Sequence, residues 1–472
     1  MRGEIAVIGN NLAALVAAQS LSARGRKVVL VNPAPAWGGH FAGFNFGGRR
    51  FDAGMVLYEY SAFNGGSSND VLSYDPDVRN DCGRFISHVT DYISPRVRTV
   101  PVPSPLMVFR ERLHPDLIIA NAIEAIAMLD PPIPEAISAE LTQICAKRDK
   151  PLHASRKAID PVFGVLDLEA ASIANHGRTL HKALFDPLCH KIFGVGTDRI
   201  LAVYHRAAWL PLYYPETLLS QFGPSPQKLA KTRFEYPLEG SAGALVNALV
   251  AELEANSLVR IVRDAIAGIR TSGSPVIDFA NGDTLEPSQL AWTLDPGTLI
   301  ALNKKDAMPS TYTRASIGLF FFAVPASCVK TEFSTLFVLD PKRKIYRISN
   351  HETCANSGAD EHRLVAEFKT SELDDHSIAD PAALQRELLE ELADLRVIHS
   401  AGRVAFCSAK ILPRALMIPD AKNRDKYLEE RSWLEDNVPE IHLAGLSAGI
   451  QAASMHDQIV QGLKLDALMG LQ

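Results

Sequence analysis

The opening residues restrict the fold more than any other part of the chain. Glu4-Ile-Ala-Val-Ile-Gly9 reads as a short buried strand, and from Leu12 to Ser22 the residues Leu12, Leu15, Val16, Gln19 and Leu21 follow a helical rhythm that Gly25 stops. Lys27-Val-Val-Leu-Val31 is a second, β-branched run that closes on Asn32-Pro33. Strand, glycine turn, helix and strand within about thirty residues are the first half of a dinucleotide-binding unit.

The turn itself departs from the usual glycine triplet. A Rossmann turn uses one glycine for the tight bend, one for close backbone approach to pyrophosphate and one for helix–strand packing. Here these positions hold Gly9, Asn11 and Ala14. Ala14 is an accepted variant, whereas Asn11 puts a side chain where phosphates come close, although Asn tolerates unusual backbone angles. The amides of the helix starting at Leu12 still point a positive dipole end at a phosphate. An acidic residue normally ends the second strand and binds ribose, and Asn32 stands there without the charge. Gly9, Asn10, Asn11, Leu12, Ala14, Asn32 and Pro33 are therefore the first candidate cofactor contacts.

Composition narrows the partners. The 472 residues are 47% apolar and 22% charged, which fits a folded chain of about three domains. With 48 Lys+Arg against 54 Asp+Glu the formal charge is −6, so no general cationic field exists for nucleic acid or anionic lipid, and a small molecule is the expected partner. The six cysteines (Cys82, Cys145, Cys189, Cys328, Cys354 and Cys407) are scattered, as suits thiols in a cytoplasmic protein. No H-E-x-x-H or paired-cysteine spacing occurs, and no metal site is expected. The apolar runs Ile5–Leu21 and Ala315–Val329 are interrupted by Gly9-Asn10-Asn11 and by Pro325, so neither predicts a transmembrane segment.

Further along, the loop Ser61–Asp70 is rich in turn residues, and Asp75 to Ser225 alternates Pro-punctuated stretches with helical ones such as Asp116–Leu129. A glycine turn at Gly240–Gly243 leads into a helix over Ala244–Glu254, then β-like runs at Val259–Ile269 and Val276–Phe279, a hairpin signal at Asn281-Gly282 and a return strand at Leu290–Leu294. Leu319–Val324 reads as a strand and Pro381–Leu395 as a helix capped by Asp380. The charged run Lys422–Glu440 suits a solvated helical face, Ile441–Gly445 a strand, and Ser454–Met469 a last helix. The economical reading is an α/β chain whose first domain is visited three times, at 1–75, 225–300 and 401–472, around an inserted α+β unit at 76–224 and 301–400.

Four segments carry a family resemblance. Trp37-Gly-Gly-His-Phe-Ala-Gly43 followed by Phe51-Asp-Ala-Gly-Met55 resembles the Gly-Gly pair and Asp-x-Gly turn of FAD-dependent amine oxidases, protoporphyrinogen oxidases, phytoene desaturases and UDP-galactopyranose mutases. Tyr236–Val246, Asn281–Pro296 and Leu443-Ala-Gly445 with Ser454–Gly462 are similar to that superfamily's later motifs, in the same order. The resemblance implies a Rossmann-like FAD-binding domain built from the three discontinuous segments, with FAD as cofactor. It adds Gly38, Gly39, His40, Gly54, Met55, Gly445, Leu446, Met455 and His456 as candidate contacts. His40 suits either a phosphate or ribose contact or the capping of a turn. Asp457, beside His456, is equally an ordinary first-turn residue. Leu446 replaces the usual Asp or Arg. At the mutase motif G-R-x-x-x-Y-x-Y-x-D-M-D the Arg and both Tyr positions hold Leu446, Ile450 and Ala452, so authentic mutase chemistry is not expected.

A flavin enzyme needs its protein chiefly to hold substrate against the ring and to exclude water. Tyr204–Glu216 concentrates aromatic, cationic and imidazole groups, which suits a pocket with an apolar wall and a few orienting polar groups. Arg206 would bind an anion, His205 would act as acid or base, and Tyr213 or Tyr214 would stack or donate. Trp209, Leu212 and Tyr213 equally suit a domain core, with Arg206 in a surface ion pair. Arg414 completes the candidates, either at the substrate mouth or solvated. The implied function is an FAD-dependent oxidoreductase that passes a hydride from a small or amphipathic metabolite to flavin N5. The alternatives are a non-redox flavin isomerase on a sugar or polyene, and a non-catalytic binding or assembly protein on the same scaffold.

Overall fold

The computed structural model describes residues 3–59, 89–147, 166–204, 209–229, 231, 233–271, 273–303, 312–371, 373, 380–400, 403–449 and 454–470. Its organising element is a parallel sheet of β1 (Ile5–Ile8), β2 (Val28–Val31), β3 (Val259–Val262), β4 (Gln289–Trp292) and β5 (Ile441–Leu443), in the order β3-β2-β1-β4-β5. Every pairing is parallel, with Ile5 beside Val28 and Gln289. β1 and β2 are buried throughout because both faces are covered. On one face Ile5, Val7, Val28 and Leu30 pack against α1 (Leu12–Ala23), α2 (Ala244–Glu254) and α3 (Met455–Gly470). On the other, Ala6, Ile8, Val29 and Val31 meet Trp292, the antiparallel meander 266–285 and Leu434 of the helix Ala421–Asn437.

The inserted unit is built on a seven-stranded sheet in the order Phe406–Met417, Arg314–Pro325, Glu361–Phe368, Ile345–Asn350, Thr335–Val338, Leu106–Phe109 and Arg112–Pro115. The pairing of Leu106–Phe109 with Thr335–Val338 is parallel, and the others are antiparallel. Both insertions thus complete one sheet, and its last strand runs past residue 400, where the sequence reading began the third visit to the first domain. The apolar core beside it joins Leu117, Leu180, Leu184 and Phe185 to Met55, Phe337 and Tyr346.

Several local expectations are met. The helix Pro381–Asp394 starts on Asp380, whose carboxylate accepts the amides of Ala382 and Ala383. Asn281-Gly282 turns the strand Val276–Phe279 into Thr284–Leu285, with Gly282 at φ 93°. The helix expected over Asp116–Leu129 does not form. Asp116 is buried and accepts the amides of Ile118, Ile119 and Ala120, which folds the chain back on itself, and only Ile123–Met128 winds into a short 3₁₀ helix. The run at Lys422–Glu440 is helical over Ala421–Asn437, but Asn423, Tyr427, Glu430 and Leu434 form a buried face beneath the charges. The loop Ser61–Asp70 lies outside the described residues.

Candidate functional site

The carboxyl ends of the parallel strands define a crevice, the usual ligand position of an open α/β sheet. β1 runs out into Gly9, whose amide bonds to Val31, while Thr293 just beyond β4 donates both its amide and its hydroxyl to the Ile8 carbonyl. Thr293 explains two glycines at once. A Cβ on Gly9, at φ 144°, would sit 1.9 Å from its hydroxyl oxygen, and one on Gly445, at φ 59°, would sit 2.5 Å from its carbonyl oxygen. Asn11 is the N-cap of α1: its Oδ1 accepts the Ala14 amide at 3.0 Å and its Nδ2 donates to the Thr293 carbonyl at 2.7 Å. The side chain that stood out in the sequence thus welds the ends of β1 and β4. Asn32 is buried, and its Oδ1 accepts the Ala34 amide beside Pro33.

The Gly-Gly segment closes over this edge. The Gly38 amide donates to the Asn10 carbonyl at 2.6 Å, and Asn10 Nδ2 reaches the Ala36 carbonyl. Gly38, at φ 86°, lies against Val246 of α2, where a Cβ would meet its methyl groups at 2.7 Å; Gly39 faces open space. Trp37 is buried, and its indole N–H has no hydrogen-bond partner among the described residues. His40, next in the chain after Gly39, is solvent-exposed.

The Asp-x-Gly turn is anchored from two sides. Glu367 forms a buried bidentate pair with Arg347 and accepts the Met55 amide at 2.8 Å, and Gly54 at φ 88° leaves room for that carboxylate, which a Cβ would approach to 2.7 Å. Asp52 accepts the Tyr236 hydroxyl, the Ser241 hydroxyl and the Ala242 amide. His351 Nε2 accepts the Asp52 amide, and Nδ1 faces the Tyr236 hydroxyl at 3.1 Å. An imidazole that accepts a backbone N–H at Nε2 is neutral and carries its proton on Nδ1. Burial agrees, lowering His351 to about 3 and raising Asp52 to about 6.

The last helix completes the crevice. Ser454 and Asp457 cap the start of α3, and His456 Nε2 accepts the Glu59 amide at 3.2 Å, which ties Met455 and His456 to the chain beyond Met55. Gln458, buried at 2% exposure, accepts the Leu12 amide on its Oε1 at 3.0 Å. Leu446 bonds through its amide to the Thr293 carbonyl and leaves its side chain exposed. Asp52 is the acid of the Asp-x-Gly turn read from sequence, whereas Thr293, Glu367 and Gln458 were not singled out there. Thr293 and Gln458 fall inside segments quoted for the resemblance, yet nothing local marks them, because their partners lie 285 and 446 residues away.

Of the five candidate catalytic residues, Tyr213, Tyr214 and Arg414 are among the described residues. His205 and Arg206 lie outside the described residues. Tyr213 is core: its hydroxyl donates to the Leu117 carbonyl and to Asn121, and its amide donates to the buried His176. Tyr214 is buried and precedes the short helix Pro215–Leu219. Arg414 is exposed on the outermost strand of the large sheet and donates to the Tyr312 carbonyl. Among the described residues, no helix is long and apolar enough to cross a membrane, and no group of His, Cys, Asp and Glu is arranged to hold a metal ion.

Comparison with known proteins agrees with this architecture. The NAD(P)-binding Rossmann-like domain family matches residues 7–74. The structure resembles a reduced UDP-galactopyranose mutase with a TM-score of 0.74 at 14% identity, covering 100% of this chain and 96% of the other. It resembles a protein described as a protoporphyrinogen oxidase from Exiguobacterium sp. 255-15 with a TM-score of 0.67 at 16% identity, covering 99% and 98%. A putrescine oxidase bound to putrescine gives 0.60 at 10% identity, covering all of both chains. A search of curated protein sequences found no match. The fold implied by the sequence resemblance is the fold observed.

Proposed function

We propose that the chain binds FAD at the carboxyl edge of its parallel sheet and is a flavin-dependent oxidoreductase acting on a small or amphipathic metabolite. The observation that carries this reading is the convergence of Gly9–Leu12, Trp37–His40, Gly445–Leu446 and the first turn of α3 on one crevice, in a chain that shares its fold end to end with mutase and oxidase enzymes. The residues suit a dinucleotide. Backbone is bared at Gly39, the buried Trp37 N–H has no acceptor among the described residues, and α1 begins at this edge, at Leu12. When bound, FAD would supply the electron chemistry, accepting a hydride from the substrate.

The chain's own residues do the holding. His40, exposed beside the Gly38-Gly39 pair, would offer a ring N–H to a phosphate or ribose oxygen. Glu367 and Asp52 fix the 52–55 turn from both sides. Arg206 would bind a substrate anion and His205 would act as acid or base. Among the described residues the thiols of Cys189, Cys328, Cys354 and Cys407 are free, which suits a reducing cytoplasm.

The visible spectrum of the purified protein, before and after added FAD, with released cofactor identified by mass, tests the reading. A flavin spectrum is expected; a colourless protein that takes up no FAD overturns it. The mutase likeness favours a second reading, isomerisation without net oxidation. A product two hydrogens lighter than substrate supports oxidation, and a product of unchanged mass supports isomerisation.

A further inference from the structure

The start of α1 is where an α/β dinucleotide fold offers backbone amides to phosphate. In this chain two of those amides already have acceptors. Asn11 holds the Ala14 amide, an ordinary cap from the residue that begins the helix. The acceptor on Leu12, the first amide of the helix, is not local: it is the side-chain oxygen of Gln458, delivered from the first turn of α3 and buried with it.

Packing sets that delivery. Gly462, one turn further along α3, lies so close to α1 that a Cβ there would stand 2.7 Å from the Val16 Cβ and 2.8 Å from the Ala13 carbonyl oxygen. α3 has its own cap in Ser454, whose hydroxyl accepts the Asp457 amide, so Gln458 is not spent on its own helix. Its carboxamide oxygen occupies, at hydrogen-bonding distance, the place a phosphate oxygen takes at such a helix start. A neutral carboxamide is a weaker acceptor than a phosphate, because hydrogen bonds to an anion are about twice as strong and the helix dipole adds to them.

We propose that Gln458 is a built-in competitor for the cofactor's phosphate: it caps α1 in the cofactor-free chain, and must swing aside for FAD to reach the Leu12 amide. This rests on the FAD reading above. A site that is open only part of the time shows an affinity reduced by the open fraction. One net side-chain hydrogen bond corresponds to a reduction of about threefold to tenfold. The device leaves the chain folded and capped without cofactor and makes occupancy depend on FAD supply.

Two substitutions of opposite sign test this on the full-length protein, with FAD affinity followed by flavin fluorescence and the melting temperature of the cofactor-free protein as a separate readout. Gln458→Ala should tighten FAD binding about threefold to tenfold and lower the cofactor-free melting temperature. Gln458→Glu should weaken FAD binding, since its carboxylate opposes the phosphates, while holding or raising that melting temperature at the helix N-terminus. ADP, which has the diphosphate without the flavin, should follow the same order. Equal, measurable FAD affinities in wild type and both variants would overturn the competitor role and leave the FAD reading standing. Absence of FAD binding in wild type and both variants would overturn both. If Gln458→Ala does not fold, Gln458→Met, which keeps the bulk of the side chain without its acceptor oxygen, takes its place and should tighten FAD binding by the same factor.

Discussion

At the scale of single residues, a few side chains far apart in sequence decide what their neighbours can be. Thr293 fills the space that makes Gly9 and Gly445 obligatory, and Glu367 does the same for Gly54. The Asp52–Tyr236–His351 group has a consequence for pH. Between pH 4 and 6 the folded chain keeps a proton on Asp52, raised to about 6, and none on His351, lowered to about 3. The unfolded chain, with ordinary values near 3.9 and 6.5, keeps none on Asp52 and one on His351. The proton counts match, so the pair contributes little pH dependence there, and its stabilisation is lost only as pH falls below about 4. Asp52→Asn removes one half of the balance. Unfolding then takes up a proton at His351 from pH 6.5 downward, and stability should fall by about 1.4 kcal/mol more per pH unit than in wild type. Urea midpoints of both proteins between pH 7 and 4 check this, and parallel profiles would refute it.

At the scale of elements, regular pieces were legible wherever local pattern and packing agree. The helices Ala244–Glu254 and Pro381–Asp394 and the strand Val276–Phe279 fall within a residue of the expected bounds. Asp116–Leu129 was misread because a buried carboxylate took the backbone amides that a helix would have used internally. The contact of α1 with α3 depends on Gly462. Gly462→Val would drive methyl groups into Val16 and the Ala13 carbonyl and should cost about 1–3 kcal/mol, read as a lower urea midpoint. Pairing it with Val16→Ala should recover part of that loss; if the two substitutions simply add, the helices are not in the contact described.

At the scale of the whole molecule, the two insertions are interleaved into one sheet by the parallel pairing of Leu106–Phe109 with Thr335–Val338. The parallel sheet is likewise assembled from strands at both ends and the middle of the chain. A ligand gripped by such separated pieces stabilises the whole. FAD at one hundred times its dissociation constant should add about 2.7 kcal/mol to unfolding. The melting temperature should climb with FAD concentration, and a temperature that stays constant up to saturating FAD would count against the proposed site.

The sequence by itself determined the α/β class, the strand–turn–helix opening and the glycine positions of the crevice, because hydrophobic period and glycine's backbone freedom act over a few residues. Only the tertiary structure decided what stands against those glycines, that Tyr213 is core, and that Gln458 reaches the Leu12 amide. These are contacts between residues up to 446 positions apart, set by how helices and strands pack, and no local pattern encodes them.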